Sequence, residues 1–194
     1  MRVSAGTGSI ALGRHPCGKT ARGGGWALSI MGDEGSGEWV SRHALRHLAR
    51  WFDGTVPDSL TLQRLRRSLS ITEPKQLSDL STEITDKIER QPQLGKLIDL
   101  AAEQGDAWAT DLLEKAAEET MALVTDLMQV LELENEIGLP VGIWGSNIVD
   151  SRIHRNAFTR MLQEKYPHTK LCLPQKSATE GAVQLALERL QQTP

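Results

Sequence analysis

The 194-residue sequence contains few cysteines and, apart from tryptophan, few aromatic residues. It has two cysteines, one tyrosine and two phenylalanines. Cys17 and Cys172 lie far apart and match no metal-ligand spacing, which argues against a cysteine-based metal site and predicts two free thiols in a reducing, cytoplasmic setting. The first residues lack the charged-then-apolar order of a secretory signal, so we expect no secretion.

The sequence also lacks a strong positive charge and any long apolar run. Its formal net charge is -3, which argues against a general nucleic-acid binder. No apolar stretch approaches the length needed to cross a bilayer. The 39% of hydrophobic and 24% of charged residues are typical of one globular domain. We therefore expect neither nucleic acid nor a membrane among its partners.

No familiar catalytic or metal-binding set of side chains is recognisable. There is no supported Ser/His/Asp or Cys/His arrangement. His43 and His47 have metal-like helical spacing, but neither a Glu-x-x-His context nor a third ligand accompanies them. They share an apolar stripe with Trp39 and Trp51, which favours packing. The sequence alone therefore predicts no catalytic residue and no metal ligand.

The distribution of glycine and of apolar residues divides the chain into three zones. Short β-prone pieces separated by glycine predict a strand and a hairpin in residues 1–35. Residues 36–138 are helical in pattern, with Ser36 as a capping residue at the start. The helices in this zone after the first are predicted at residues 58–69, 76–90, 93–103 and 108–133.

The last zone alternates between strand and helix patterns. Strands are predicted at residues 140–144 and 170–173, and a helix at 151–165 lies between them. A capping box, Ser177 to Glu180, begins a final helix that ends near residue 191. This order predicts βαβ crossovers and parallel strands in an α/β fold.

Three glycine-rich segments could bind a ligand. Gly6-Thr7-Gly8-Ser9 could approach a phosphate through its backbone N–H groups, or it could be a plain turn. Gly24-Gly25-Trp26 and Gly32-Asp33-Glu34-Gly35 could form a sugar pocket from an indole and a carboxylate, or a turn with a capping Asp. Gly145-Ser146-Asn147 could meet a nucleotide at a helix start, or simply join a strand to a helix.

The order and the gaps of these segments carry a resemblance. Residues 4–11, 22–26 and 32–36 together resemble the N-acetylglucosamine kinase branch of the BadF/BadG/BcrA/BcrD ATPase family. Gly105-Asp106 and Gly145-Ser146 are similar to that family's Gly-Asp turn and adenosine motif. The family belongs to the actin, sugar kinase and Hsp70 superfamily, whose halves are ribonuclease-H-like.

This resemblance implies a fold, an activity and ligands. It implies an α/β, ribonuclease-H-like lobe over residues 1–194, with a large helical insertion at about residues 55–138. The implied function is ATP-dependent phosphorylation of an amino sugar, N-acetylglucosamine or glucosamine, with ATP and Mg2+. Complete members carry an Asp-Gly-Gly-Gly-Thr phosphate loop and a catalytic Asp in a first lobe. Neither is found in this sequence, so the expected lobe is the C-terminal one and its activity in isolation is expected to be incomplete.

The resemblance also implies roles for individual residues. The implied sugar contacts are Ser9, Gly25, Trp26 and Asp33. The implied nucleotide contacts are Thr7, Gly8, Gly105, Gly145, Ser146 and Ser151. Two positions depart from the family pattern: Ala27 stands where a glycine usually follows the Trp, and Ser146 stands where bacterial members often have a second glycine.

Two other functions remain open at this stage. The chain could be a non-catalytic remnant that binds a partner, either a separate N-terminal lobe or a second copy of itself, through a face left uncovered. It could also resemble the dehydratase activators of the same family, which hold an iron–sulfur cluster between subunits. Those activators need closely spaced cysteines, a pattern that Cys17 and Cys172 do not match.

Overall fold

A five-stranded mixed sheet forms one layer of the protein. The computed structural model describes residues 1–26, 32–86 and 91–192. The strand order is β3-β2-β1-β4-β5, with β1 in the centre. The strands are β1 (Arg2–Ala5), β2 (Ser9–Arg14), β3 (Thr20–Gly24), β4 (Pro140–Trp144) and β5 (Lys170–Cys172).

The first three strands form an antiparallel meander, and the later two join it in parallel. Val3 in β1 pairs with Ala11 in β2 on one side and with Ile143 in β4 on the other. Strand β2 also pairs antiparallel with β3, and β4 pairs parallel with β5. The strand and hairpin predicted for residues 1–35, and the parallel pair predicted near the C-terminus, are therefore confirmed.

The helices follow the predicted sequence of segments closely. The predicted helix at residues 76–90 corresponds to α3, and its last four residues, 87–90, lie outside the described residues. The described helices are α1 (Gly37–Phe52), α2 (Leu60–Leu69), α3 (Pro74–Asp86), α4 (Gln91–Glu103), α5 (Ala107–Val130), α6 (Ser146–Val149), α7 (Arg152–Lys165) and α8 (Ala178–Gln192).

The predicted end of the long helix α5, at residue 133, is three residues too late. Leu131 caps the helix, and Glu132 adopts a left-handed conformation with φ of 54°. A left-handed residue breaks the helical hydrogen-bond pattern and is a common way for a helix to end. The apolar spacing nevertheless continues through Leu133, which is buried in the core, so periodicity alone extends the helix too far.

Two apolar clusters share helix α5. The sheet cluster contains Val3 and Ile143 from the strands and the second half of α5, from Ala117 onward. The helical cluster gathers α1, α2 and α4 around the first half of α5, which ends in it with Ala116. The second half of α5 thus packs on the sheet although it lies inside the range predicted as an insertion. Within the described residues, no helix is long and apolar enough to span a bilayer.

Asp106 fixes the start of α5 and joins it to α2. Its Oδ1 accepts a hydrogen bond from the backbone N–H of Ala109 at 3.0 Å, as an N-cap does. Its Oδ2 accepts one from the backbone N–H of Thr61 at 2.9 Å. Burial alone would raise the pKa of Asp106, but these hydrogen bonds outweigh it and hold the pKa below its usual value.

His154 joins helix α7 to α5 in the interior. Its Nε2 lies 3.1 Å from Thr120 Oγ1, and the Thr120 hydroxyl is within hydrogen-bonding distance of the Ala116 and Ala117 carbonyls. Because the hydroxyl donates its one proton to a carbonyl, it accepts from an Nε2–H of His154. His154 is fully buried, and this burial lowers its pKa to about 4.

We predict that Asp106→Ala destabilises the fold by about 1–3 kcal/mol, because it removes an N-cap and leaves the buried Thr61 N–H without its partner. Asp111→Ala is the control: Asp111 lies on the same helix in an exposed ion pair with Lys115, so its loss is expected to cost less than about 0.5 kcal/mol. Urea unfolding followed by circular dichroism measures both. Equal losses in the two variants would contradict the role assigned to Asp106.

We predict that His154 makes the protein less stable in mild acid. The unfolded chain binds a proton at His154 near pH 6.5 and the folded chain only near pH 4. The contribution is therefore fully present above pH 6.5 and falls by about 3 kcal/mol as the pH drops to 4.

The measurement is urea unfolding at a series of pH values between 4 and 7. His154→Gln removes the titration and is expected to flatten this part of the profile. His168→Gln, at an exposed histidine, is the control and is expected to keep the slope of the parent. A parent-like slope in His154→Gln would show that another group causes the acid sensitivity.

Candidate functional site

The loop between β1 and β2 is held by the first turn of α1. The backbone N–H of Gly37 donates to the Gly6 carbonyl at 2.8 Å, and that of Glu38 donates to the Thr7 carbonyl at 3.1 Å. An added Cβ on Gly37 would lie 3.1 Å from the Gly6 oxygen, so a glycine is needed for this close approach. The capping of α1 by Ser36 leaves its Gly37 and Glu38 N–H groups free for the loop.

Ser9 connects the loop to the Gly-Asp-Glu-Gly segment and to the end of β3. Its backbone N–H donates to Asp33 Oδ1 at 2.8 Å, and its hydroxyl donates to the Glu34 carbonyl at 2.7 Å. Its carbonyl accepts from the Gly25 N–H at 2.9 Å. Ser9 is buried, and its hydroxyl proton is used within the protein. Ser9, predicted as a sugar contact, therefore lies buried behind Asp33 and Gly25 and holds both in position.

Asp33 has a strained backbone and a buried side chain. Its φ is 63°, a left-handed conformation that non-glycine residues rarely adopt outside functional or tight turns. Its carboxylate lies against Gly8, where an added Cβ would be only 3.0 Å from Asp33 Cγ. With Oδ1 bonded to Ser9, Oδ2 forms no hydrogen bond within the described part of the chain. The carboxylate therefore retains a free acceptor beside the loop.

The Trp26 backbone lies beside Gly32, the residue that precedes Asp33. An added Cβ on Gly32 would be 3.3 Å from the Trp26 backbone nitrogen, so the residue before Asp33 packs beside Trp26. The Trp26 side chain is 64% exposed, and the Arg22 guanidinium lies 4.5 Å from its ring centroid. The predicted departure at Ala27 lies outside the described residues.

A narrow cleft lies on the other side of the loop. Its cavity volume is about 60 Å³ and it opens to solvent; Gly6, Thr7 and Gly37 line its floor. Helix α4 covers this floor with Gly95, Lys96 and Asp99, which face the cleft. The cleft is thus formed between the strand-end loop and the helical cluster.

The third wall of the cleft is α6 and its C-cap. Ser146, Asn147 and Asp150 line it. Gly145, which precedes α6, packs directly on the loop: an added Cβ would lie 2.5 Å from the Ala5 carbonyl carbon and 2.6 Å from the Gly6 nitrogen. Its φ of 93° is open to glycine alone at little cost.

Asn147 is a buried polar residue that connects the cleft wall to the interior. Its Nδ2 donates to the Gly35 carbonyl at 2.8 Å and lies 3.4 Å from His154 Nδ1. A carbonyl can only accept, so this contact identifies the atom facing Gly35 as the amide nitrogen. The side-chain oxygen, Oδ1, consequently faces Gly95 and Gly37, where added Cβ atoms would be 3.8 and 4.0 Å from it.

Asp99 ties α4 to the start of α7. The Ser151 hydroxyl donates to Asp99 Oδ1, and the Ser151 oxygen also accepts from the backbone N–H of His154 at 3.3 Å as the N-cap of α7. Burial raises the pKa of the Asp99 carboxyl, although the hydrogen bond from Ser151 opposes the shift. Ser151, predicted as a nucleotide contact, is therefore buried and occupied by Asp99.

The structure separates one predicted residue from the rest of the site. Gly105 lies in the turn before α5, about 15 Å along the helix direction from Gly95 in the cleft. It adopts a left-handed φ of 89° and is followed by the N-cap Asp106. A helix-terminating turn accounts for this glycine.

The cleft residues contributed by α4 were not predicted from the sequence, and Asn147 was predicted only as part of the turn that begins at Gly145. One feature of the sequence could have identified α4 as a cleft wall: Gly95 is an isolated glycine inside a helical pattern. Such a glycine often marks a place where another segment approaches the helix closely. No comparable signal marked Asp99, because its partner Ser151 is 52 residues away in sequence.

His43 and His47 each pack against a tryptophan ring. The His43 ring lies 4.0 Å from the Trp39 ring, and its Nδ1 is 2.9 Å from the Trp39 carbonyl oxygen. The His47 ring stacks on Trp108 at 3.9 Å with an interplanar angle of 5°. Among the residues described, no cluster of three His, Cys, Asp or Glu side chains could hold a metal ion.

Comparison with known proteins identifies relatives for nearly the whole chain. It is 29% identical over 188 residues to the N-acetyl-D-glucosamine kinase of Dictyostelium discoideum, covering 95% of this chain and 58% of that protein. It is 27% identical over 184 residues to the N-acetylmuramic acid/N-acetylglucosamine kinase of Clostridium acetobutylicum, covering 95% and 60%. The chain thus spans less than two thirds of the length of these relatives. No family model matches it.

A solved structure supports the fold. A crystal structure assigned to an N-acetylglucosamine kinase of Chromobacterium violaceum superposes with a TM-score of 0.76 at 24% identity, over 95% of this chain and 58% of that one. The predicted α/β, actin-like fold is therefore confirmed. In sequence the chain is similar to two kinases that act on N-acetylglucosamine or a related amino sugar, and the solved structure shows the same fold.

Proposed function

We propose that this chain forms the part of an ATP-dependent amino-sugar kinase that binds N-acetylglucosamine or glucosamine next to the phosphates of ATP. The observation that carries this proposal is the hydrogen bond from the Ser9 N–H to Asp33, which fixes a carboxylate with a free oxygen directly beside the Gly6–Gly8 loop. The Asp33 carboxylate, which can accept from sugar hydroxyls, thereby lies next to the loop whose N–H groups can donate to phosphates. The names of the two curated relatives support the same substrate class.

On the sugar side, Asp33 Oδ2 accepts hydroxyl protons of the substrate. Trp26, which is largely exposed, covers one face of the sugar ring, as an indole suits the apolar face of a hexose. Gly25 provides the left-handed turn that brings Trp26 there: its φ is 67°, and an added Cβ would be 2.7 Å from Ile10 Cδ1. Ser9 contributes to sugar binding indirectly, because its N–H holds the Asp33 carboxylate in place.

On the nucleotide side, the Gly6–Gly8 loop and the start of α6 face the phosphates. Thr7 supplies a hydroxyl at the floor of the cleft, and Gly8 leaves room for Asp33. Gly145 permits the close packing of the loop, and Ser146 lines the wall. Ser151 acts indirectly by holding Asp99.

Mg2+ enters this proposal as the companion of ATP. Mg2+ usually keeps several waters and binds through substrate phosphates with one or two carboxylates. Asp150 lines the same cleft as Thr7 and is the kind of carboxylate that an ion held by the phosphates would approach. Because the chain spans 58% of the length of its Dictyostelium relative, we assign ligand binding to the residues above and leave phosphoryl transfer to the whole kinase.

We predict that N-acetylglucosamine binds to the purified chain and that Asp33→Asn weakens this binding about tenfold or more. The amide can still accept from the Ser9 N–H but loses the charge, and a hydrogen bond to a charged group contributes about 1.5–3 kcal/mol. Saturation-transfer NMR on N-acetylglucosamine and on glucosamine measures the dissociation constants.

Asp111→Asn is the matched control, since Asp111 is exposed on α5 away from the loop. It is expected to bind the sugars as the parent does. Unchanged binding in a folded Asp33→Asn protein would contradict the sugar site. Robust ADP release by this chain with ATP and N-acetylglucosamine would show that phosphoryl transfer needs no residue beyond it.

A second candidate function is binding of a partner through α8. Val183, Leu187 and Leu190 lie four and three residues apart, which places them on one helix face, and they are 55%, 55% and 72% exposed. Leu173, at the end of β5, is also exposed. Exposed apolar faces of this kind are common at interfaces, either with a separate lobe or with a second copy of the chain.

We predict that the 21.4 kDa chain associates at high concentration and that Leu187→Lys returns it to a monomer, because the charge removes the apolar face. Size-exclusion chromatography with light scattering measures the mass. Ile137→Lys, at an isolated and 84% exposed residue, is the control and should not alter the association. A monomeric parent without ligand binding would count against both candidate functions.

A further inference from the structure

The cleft wall holds one hydrogen-bond acceptor that the protein itself leaves unused. Asn147 is 8% exposed, and its amide nitrogen is committed to the Gly35 carbonyl. Its Oδ1 faces the cleft and accepts no hydrogen bond within the described residues. The side chain as a whole is buried, but its oxygen opens to the cleft, where water or a ligand can donate to it. Asn147 therefore marks a position where a ligand donor fits.

A second acceptor lies across the cleft on α4. The Asp99 carboxylate accepts from Ser151 through Oδ1, and no other group in the described chain donates to it. Gly95, one turn before Asp99, has no side chain, so the space between α4 and Asn147 Oδ1 stays open. The two acceptors thus face one space from opposite walls.

The chemistry of these walls selects the kind of group that binds between them. Asp99, Asp150 and Asn147 Oδ1 present acceptors, which attract hydrogen-bond donors, while Lys96 is the cation that lines the same cleft. An adenine edge presents a donor beside an acceptor, so it would use only one of two facing acceptors. Two neighbouring hydroxyls need only acceptors, and a carboxylate suits such a pair.

The position of the cleft also fits a pair of neighbouring ribose hydroxyls. Its floor is the Gly6–Thr7 loop, to which we assign the phosphates, and α6 and α4 extend away from that loop. In a nucleoside triphosphate the ribose comes next after the phosphates and before the base. A nucleotide with its phosphates at Thr7 therefore brings its ribose hydroxyls to the two acceptors.

We propose that Asn147 and Asp99 bind the 2′- and 3′-hydroxyls of the nucleotide ribose and make the cleft selective for ribonucleotides. This inference rests on the proposed function, since it takes ATP as the nucleotide. It adds two specificity-determining residues on separate elements, α6 and α4.

The test compares ATP with 2′,3′-dideoxyATP, each with Mg2+, by isothermal titration calorimetry on the full chain. The parent is expected to bind ATP at least about tenfold more tightly, as expected for hydrogen bonds to a charged group. Asp99→Asn keeps an acceptor for Ser151 but introduces an amide, and it is expected to reduce this ratio several-fold. Asn147→Ala is expected to reduce it as well.

The ratio separates recognition from folding, because a merely structural defect weakens both nucleotides alike. Thermal unfolding of each variant confirms that it is folded, and Asp111→Asn is the control with an unchanged ratio. A ratio near one in the parent, or an unchanged ratio in a folded Asp99→Asn, overturns the inference and leaves the proposed function standing. A parent that binds neither nucleotide overturns the proposed function, and this inference with it. The inference is also overturned if the chain distinguishes ATP from GTP but binds ATP and 2′,3′-dideoxyATP equally well.

Discussion

The arrangement of the site depends on one buried amide, that of Asn147. Its nitrogen reaches the Gly35 carbonyl of the sugar-side segment, and the same group lies beside His154, which is bonded to Thr120 on α5. A short side chain thereby joins three segments that are remote in sequence. In a low-dielectric interior such a network is favourable only while every member keeps its partner, so its geometry is narrowly defined. The network also needs a neutral His154, whose unprotonated Nδ1 faces the amide nitrogen of Asn147.

Close backbone contacts add a second constraint on the same segments. Gly145 packs on the Ala5–Gly6 peptide, and Gly37 approaches the Gly6 oxygen. Gly35 packs against α5, where an added Cβ would be 2.9 Å from Thr120 Cγ2. These contacts leave no room for side chains, so the loop, α1, α5 and α6 meet through their backbones. The position of the loop is therefore set by backbone contacts and depends little on side-chain rotamers. The direction of its N–H groups follows from the same contacts.

Local features were predictable from the sequence, and long-range contacts were not. Ser36 and the box from Ser177 to Glu180 cap helices as predicted, because a cap involves residues three positions apart. The strands were predictable for the same reason, since apolar and glycine patterns are local. The partnership of Asp99 with Ser151 depends on how α4 lies over the sheet, and no pattern in either segment encodes it.

The resemblance to a family grouped one set of residues that the structure brings together, and it assigned to the nucleotide one residue that lies apart from them. It grouped the glycine segments around Ser9 and Asp33, and the structure brings these segments together through direct hydrogen bonds. It also assigned Gly105 to the nucleotide, while the structure uses Gly105-Asp106 to end one helix and cap the next. A Gly-Asp pair is compatible with a nucleotide contact and with a plain helix-to-helix turn, because both use a left-handed glycine followed by a helix start. The structure shows the turn and the cap, and the nucleotide contact of Gly105 stays a prediction.

Helix α5 explains how a site can form between two separate cores. Its 24 residues span about 36 Å, and it gives its first half to the helical cluster and its second half to the sheet cluster. Since one continuous helix is stiff over this length, the cluster that carries α4 is oriented by the same element that supports the strand-end loop. The Ser151–Asp99 hydrogen bond then fixes α4 at the point where it covers the cleft. The width of the cleft is therefore set by α5 along its length and by Asp99 at its edge, so changes at either can alter ligand fit without touching the loop itself.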